Sequence, residues 1–148
     1  MLRQPPAIEI RGLDHVVIRV SNLENSLAFY RDALGCREER RVEELGLTQL
    51  RAGSSLIDLV RADSPLGRAG GGAPPGKSEG GRNMDHFALA ITDFDEARIR
   101  RHLEHHGIQP GAVGTRYGAL GNGLSMYLRD PDGNTVELKG PTTTDTQA

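Results

Sequence analysis

Two histidines open two similar apolar segments in separate halves of the chain. His15 begins HVVIRV and His86 begins HFALAI, and an aspartate precedes each of them, Asp14 or Asp85. Neutral imidazole is a common ligand of zinc and of other first-row transition metals. The repeated placement predicts that both histidines serve one site.

Each half of the chain also closes with an apolar segment that carries one acid. Asp58 lies within LIDLV and Glu137 within TVELK. An unpaired charge inside a sheet costs several kcal/mol or shifts its pKa until the group is neutral, so both carboxylates need partners. Two imidazoles and two carboxylates suit a divalent ion such as Zn, Ni, Co, Mn or Fe(II), with open positions left for water or substrate.

A structural interpretation of these residues is also open. A histidine on a strand can bond a backbone carbonyl in the core, and a register slip of one residue would turn Asp58 outward. The repetition of histidine and acid in both halves favours the metal site. The candidate metal ligands are therefore His15, Asp58, His86 and Glu137.

The elements that must position these groups follow from the residue periods. Residues 12–20 alternate as a strand does, with aliphatic residues on one face and His15 and Arg19 on the other. The second opening strand, 84–91, places His86 on the face where His15 lies. Arg19 is either a solvated arginine or a clamp for a substrate carboxylate, and its neighbours on that face favour the clamp.

A helix is predicted after each opening strand. Ser21 has the spacing of a capping box with Glu24, and Thr92 gives a weaker cap in the second half. Glycines at 35 and 107 end the two helices. Shorter strands are predicted at 37–42, 47–51, 55–61, 109–113, 115–120, 124–128 and 135–139, with an Asn122-Gly123 hairpin turn.

This order predicts an α+β fold of two βαβββ modules. Module 1 covers residues 12–62 and module 2 covers 83–140, in one domain of residues 12–140. Residues 63–82 are expected to be a Gly/Pro-rich linker without regular structure, and 1–11 and 141–148 to be flexible ends.

The composition argues against several classes of partner. The 148 residues include 18 basic and 20 acidic ones, for a net charge of -2, and no basic block favours nucleic acid. The sequence contains no run of about 20 apolar residues, so no membrane-spanning segment is expected. The one cysteine, Cys36, and the absence of an apolar signal core indicate a cytoplasmic protein. A small-molecule substrate is the expected partner.

Several other side chains receive non-catalytic interpretations. Residues 71–78, GGAPPGKS, match a phosphate-loop pattern, but a glycine pair follows where a helix must start, so no nucleotide is expected. His102, His105 and His106 suit a solvated helix C-terminus. Met126 and Tyr127 are expected to pack rather than react. The aspartates before His15 and His86 are expected to hold a turn or a helix end.

Three segments carry a family resemblance: LDHVVIRVSNLENSLAFYRDALG, MDHFALAI and YLRDPDGNTVELKG. They resemble the vicinal oxygen chelate superfamily, which includes glyoxalase I, fosfomycin-resistance thiol transferases, extradiol dioxygenases and bleomycin-binding proteins. The resemblance spans about residues 12 to 140. It implies that the two modules form a cupped, half-open mixed sheet around a metal, with ligands at His15, Asp58, His86 and Glu137, and that the chain is a homodimer. Arg19 matches an arginine that contacts the glutathione carboxylate in glyoxalase I.

The sequence departs from glyoxalase I at three positions. Asp58 stands in place of a glutamate, and Ala62 and Asn134 replace an asparagine and an aromatic residue. The chain is more similar to single-domain glyoxalase-like proteins that have an RDPDGN turn, and the use of glutathione or another thiol stays open. So does the choice between a pocket within one chain and a pocket shared by swapped partners.

The expected function is that of a metal-dependent lyase or isomerase of glyoxalase type. The metal would chelate two substrate oxygens, and Glu137 would act as the base. One alternative is an Fe(II) ring-cleaving dioxygenase that uses His15, His86 and Glu137, although no further acid/base residue is evident in the second half. Another is non-enzymatic sequestration of the bleomycin-resistance kind.

Overall fold

The computed structural model describes residues 7, 9, 11–70 and 84–143. The first half contains β1 (His15–Val20), α1 (Leu23–Leu27) with a π-helical continuation (Ala28–Ala33), β2 (Arg37–Val42), a 3₁₀ turn (Glu43–Leu45), β3 (Leu47–Ala52), β4 (Ser55–Arg61) and α2 (Pro65–Ala69). The second half contains β5 (His86–Ala90), α3 (Glu96–His105), β6 (Gly114–Gly118), β7 (Gly121–Arg129) and β8 (Thr135–Thr142).

The strands form two four-stranded mixed sheets of identical topology. Their orders are β1-β4-β3-β2 and β5-β8-β7-β6. The first and last strand of each module run parallel, and the remaining pairs are antiparallel. The prediction of two βαβββ modules is confirmed. β1 and β5, which carry the two histidines, are both edge strands.

The core lies on the helix-covered face of each sheet. Ile18 and Val20 of β1 are buried there, as the alternation predicts, together with Leu27 of α1. Leu103 of α3 and Met126 of β7 belong to the same cluster, so Met126 packs as expected. The faces that carry His15 and His86 are turned away from this core.

Hydrogen bonds on the helix side join the two modules. The Tyr30 hydroxyl donates to Asp130 Oδ2 at 2.6 Å, and the Ser21 hydroxyl donates to Asp132 Oδ1 at 2.5 Å. Both aspartates belong to the turn before β8. A charged acceptor strengthens such bonds, so the turn fixes how one module sits on the other.

Both helix caps differ from the predictions. Asn22 caps α1 by accepting from the Asn25 amide at 3.0 Å, and Asp95 caps α3 by accepting from the Arg98 amide at 3.1 Å. The capping box at Ser21 is wrong because that hydroxyl is used by the second module instead.

The second half departs further from the predicted strands. No strand forms at 109–113, and the turn between β6 and β7 falls at 119–120 rather than at Asn122-Gly123. Gly121, with a φ of 103°, makes that turn, and Gly123 pairs with Thr142 inside the sheet. This pairing also extends β8 to Thr142, into the expected flexible end.

The segment between the modules contains an unexpected helix. Ser64 caps α2 by accepting from the Gly67 amide at 3.1 Å, and Pro65 occupies the first turn, where a missing N–H costs nothing. Residues 71–83, including GGAPPGKS, lie outside the described residues, as do 144–148. In the part of the chain that is described, no helix has the length and apolar character needed to cross a membrane.

Candidate metal centre

The two histidines have the same register against the two acids. In the parallel pair β1/β4, His15 lies two residues before the partner of Asp58. In β5/β8, His86 lies two residues before the partner of Glu137. Each histidine therefore shares a sheet face with the acid of its own module, and the sequence repeat is a structural repeat.

The acids are buried while the imidazoles reach solvent. Asp58 is 5% and Glu137 6% exposed. His86 Nε2 lies 3.3 Å from Glu137 Oε1, and the His86 side chain is 33% exposed. The hydrogen bond with Asp14 raises the pKa of His15 most, and the negative charge of Asp58 raises it further. Each module thus presents one imidazole nitrogen and one carboxylate at its open face.

The aspartate before each histidine fixes the ring. Asp14 Oδ2 lies 2.8 Å from His15 Nδ1, and Asp85 Oδ2 lies 2.7 Å from His86 Nδ1. An ionised carboxylate only accepts, so Nδ1 carries the proton and Nε2 is left as the coordinating nitrogen. The hydrogen bond to Asp14 is also the main cause that raises the pKa of His15 above its ordinary value of 6.5.

The interpretation of Asp14 and Asp85 as turn or helix-end residues is therefore incomplete. Metal-binding histidines commonly donate their second ring N–H to a carboxylate. The repeated Asp-His dipeptide was the signal in the sequence for this contact. Strand alternation does not predict this contact, because it places neighbouring side chains on opposite faces of the sheet. At the start of each strand the aspartate side chain turns back toward the histidine.

Asp58 is held by a chain of polar groups on sheet 1. Gln49, its partner on β3, donates from Nε2 to both carboxylate oxygens at 3.2 Å. Arg40 Nη1 donates in turn to Gln49 Oε1 at 3.1 Å, which orients the amide. The Asp58 carboxylate is buried and hydrogen-bonded. The one-residue register slip that would turn Asp58 outward therefore does not occur.

An aromatic residue takes the matching position on sheet 2. Tyr127 pairs with Glu137 across β7 and β8, and its ring meets the His86 ring edge to face at 5.3 Å between centroids. The Arg116 guanidinium lies 4.3 Å from the centroid of the Tyr127 ring. Tyr127 thus packs against His86 and Arg116, and its ring borders the candidate site.

Arg19 lies on the open face of sheet 1. It follows His15 on the same side of β1 and pairs with Val60 on β4. Its stem passes Gly70, at the end of α2, so closely that a Cβ there would lie 3.2 Å from the arginine Cδ. The glycine makes room for the arginine beside the site.

The chain brings the four candidate ligands together as two pairs. Among residues 11–70 and 84–143, no group of three His, Cys, Asp or Glu side chains is close enough to hold a metal ion. The helix-end histidines form no such group either, because His102 Nε2 donates to the Ala33 carbonyl at 2.7 Å. His102 thus links the modules and is not simply solvated.

The donor atoms of each pair nevertheless fit a divalent ion. Each pair offers an imidazole Nε2 and a buried carboxylate, which are the donor types that Zn, Ni, Co, Mn and Fe(II) accept. The aspartates at Nδ1 supply the outer partners such ligands use. The chemistry of the donor set is therefore that of a divalent-metal ligand set.

Similarity to known proteins agrees with this architecture. The family profile described as Glyoxalase/Bleomycin resistance protein/Dioxygenase superfamily matches residues 12–138. The chain is 33% identical over 138 residues to the glyoxalase domain-containing protein RDO1 of Mycosarcoma maydis, covering 92% of this chain and 72% of that protein. It is 28% identical over 127 residues to a catechol-2,3-dioxygenase of Bacillus subtilis, covering 85% of this chain but 40% of the dioxygenase.

A solved structure extends the comparison to the fold. The virulence protein STM3117 of Salmonella typhimurium superposes with a TM-score of 0.68 at 25% identity, covering 91% of this chain and all of the other, 100%. With the family profile over nearly the whole described chain, the protein belongs to the Glyoxalase/Bleomycin resistance protein/Dioxygenase superfamily.

Proposed function

We propose that the protein is a divalent-metal-dependent enzyme of glyoxalase type, acting on a small substrate with two neighbouring oxygens. The observation that carries this is the repeated pairing of a histidine with an acid, His15 with Asp58 and His86 with Glu137, in one register. When bound, the ion would act as a Lewis acid on the substrate oxygens and stabilise negative charge there.

The chain's own groups would handle the proton. Glu137 Oε1 lies beside His86 Nε2 in a buried position, where a carboxylate can take a proton from the carbon next to a substrate carbonyl and return it to the neighbouring carbon. Asp58 is held more firmly, by two bonds from Gln49, and suits a fixed ligand. Arg19 would orient an anionic part of the substrate.

We further propose that a second copy of the chain completes each site. The bonds from Tyr30 and Ser21 to the turn before β8 hold the two modules of one chain together through their helix sides. Bringing the two half-sites of that chain together would break these bonds. A partner's second module can instead face this chain's first module without any change inside either chain.

The strand edges support such a pairing. β1 and β5 are edge strands, and Val17, between His15 and Arg19, is 57% exposed. An exposed edge with an apolar side chain at its centre is a surface that another strand can cover. A two-fold pair would place β1 of one chain beside β5 of the other and create two equivalent sites.

Ring-cleaving dioxygenase activity is the second candidate. Tyr127, whose ring centroid lies 5.3 Å from that of His86, would be the acid/base group of this reaction. His15, His86 and Glu137 could serve as a facial triad while Gln49 retains Asp58. The similarity to a catechol-2,3-dioxygenase also supports this candidate.

Metal content and metal-specific turnover separate these candidates. We expect the purified protein to hold about one ion per chain, since a two-fold pair has two equivalent sites. Turnover of a hemithioacetal with nickel, cobalt or zinc supports the isomerase. Oxygen uptake with catechol, seen only with Fe(II), supports the dioxygenase. Failure to bind any divalent ion would contradict both.

A further inference from the structure

Lys139 is a buried cation on the open face of sheet 2. It is 8% exposed and lies two residues beyond Glu137 on β8, so both side chains project from the same face. Its Nζ donates to the Gly121 carbonyl at 2.9 Å. An ammonium has three N–H donors, so this single bond leaves much of its capacity unused.

No described carboxylate pairs with this lysine. The structure also gives no acidic partner, within the described ranges, to Arg116, which donates to the Ser125 carbonyl and hydroxyl at 2.9 and 2.6 Å. Lysine is almost never buried without a counter-charge. Two cations therefore lie on the open face of one half-site, and the acid nearest along β8, Glu137, lies beside His86 Nε2 at 3.3 Å instead.

Both side chains run past glycines of the sheet. A Cβ at Gly123 would lie 3.0 Å from Lys139 Nζ, and a Cβ at Gly118 would lie 3.4 Å from its Cε. At Gly114 a Cβ would lie 3.4 Å from Arg116 Nη2. The two cations therefore lie flat against bare backbone and form part of the sheet surface.

The sheet register relates Lys139 to Arg19. Arg19 pairs with Val60 in the first module, and Ala90 pairs with Lys139 in the second. These are equivalent pairs, each two residues beyond the pair that contains the acid. Each module thus carries one cation at the equivalent register position. The cation lies on the opening strand in the first module and on the closing strand in the second.

We infer that Lys139 and Arg116 form an anion-binding position for a carboxylate or phosphate group of the ligand. This rests on the proposed function, in which the same ligand offers two oxygens to the metal at Glu137. Residues two apart on a strand are separated by roughly 7 Å. The ligand class is therefore a small oxygen chelator with an anionic group a few bonds from the chelating oxygens.

Anion binding can be tested without metal. In the metal-free protein, amide NMR shifts of Gly121 and Ser125 should respond to inorganic phosphate or to acetate, and whichever binds more tightly identifies the preferred group. Lys139→Met should weaken that binding at least about tenfold, the expected effect of losing a charged hydrogen bond. Lys139→Arg should retain it. Arg101→Met, on the exposed face of α3, is the matched loss of one positive charge.

Equal weakening by Lys139→Met and Arg101→Met would overturn the inference, because the effect would then be general electrostatics. So would unchanged binding in Lys139→Met. If that variant does not fold, Arg116→Gln gives the same test, since this side chain is only half-buried. It should weaken binding of the same anion.

Binding to the metal-loaded protein tests whether the anion-binding position and the metal hold the same ligand. Calorimetry would compare catechol with 3,4-dihydroxybenzoate, which adds only a carboxylate. We expect the carboxylate to tighten binding about tenfold in the native protein and not in Lys139→Met. Catechol binding without that preference would overturn the anion position and leave the metal proposal intact. Anion binding by a protein that takes up no metal would contradict the metal proposal alone.

Discussion

The Nε2 atom of His86 lies 3.3 Å from Oε1 of Glu137, while Nδ1 of the same ring is held by Asp85 at 2.7 Å. One imidazole is thus oriented from behind by an exposed acid and faces a buried acid in front. His15 repeats the first contact with Asp14 and shares its sheet face with Asp58.

Removing either histidine should abolish metal uptake. His86→Ala takes away the only imidazole of the second half-site, and His15→Ala does the same in the first. Metal content by plasma emission spectrometry measures the effect. His105→Ala, at the exposed end of α3, is the control and should bind as the native protein does. Unchanged stoichiometry in His86→Ala would contradict the site.

The exposed aspartates should tune metal affinity without being ligands. Asp14→Ala and Asp85→Ala free Nδ1 of the neighbouring ring, and loss of such an outer partner typically weakens metal binding about 10- to 100-fold. Competition with a chromophoric chelator measures the affinity. Asp→Asn at either position keeps an acceptor for Nδ1 and should lose less. Native affinity in both alanine variants would show that these contacts do not orient the rings.

Tyr127 separates the two candidate reactions. Under the dioxygenase candidate, Tyr127→Phe should lower kcat for ring cleavage by about 100-fold, since it removes an acid/base group. Metal content should not change, because the phenol is not among the ligands. Under the glyoxalase-type candidate the same variant should retain most of its turnover. Tyr117→Phe, at an 81% exposed position, serves as the control in both assays.

The bond between Tyr30 and Asp130 should stabilise the joined modules. Tyr30 is fully buried and donates to a charged oxygen, so Tyr30→Phe should cost about 1–3 kcal/mol of unfolding free energy. Urea denaturation followed by circular dichroism gives the value. A variant as stable as the native protein would mean that the bond contributes little to the module junction.

The same tyrosine predicts a difference at high pH. Burial, and then the charge of Asp130, raise the pKa of Tyr30 above its ordinary value of 10.0. The folded state therefore keeps a proton that the unfolded state loses, and stability falls as the pH rises above 10. Tyr30→Phe lacks this contribution, so the gap between native and variant should narrow above that pH. A gap that stays constant would contradict the shift.

Residue periods were enough to predict the strands of the first module. The alternation in β1 and the glycine turns at 46 and 53 are local signals, and the predicted strands 37–42 and 55–61 agree with the observed bounds. The second module was harder. The residue types of Asn122-Gly123 are typical of a turn. The pairing of Gly123 with Thr142 nevertheless places both residues in a strand. Such pairing between distant segments leaves no local pattern.

The site was predictable where it repeats. Histidine and acid recur in both halves, so their shared face could be inferred from the sequence alone. Tyr127 and Lys139 do not recur, because Gln49 and Val60 occupy the matching positions. Their location next to the site depends on the strand register, which is known only from the folded sheets.

Complementation between two inactive variants tests the central claim most directly. His15→Ala and His86→Ala chains with different affinity tags would be co-expressed, and the mixed pair purified by both tags. If each site combines halves from two chains, one of the two sites in the mixed pair is intact, so metal content and turnover should be about one half of native. A mixed pair that binds no more metal than either parent variant would contradict a site shared between copies.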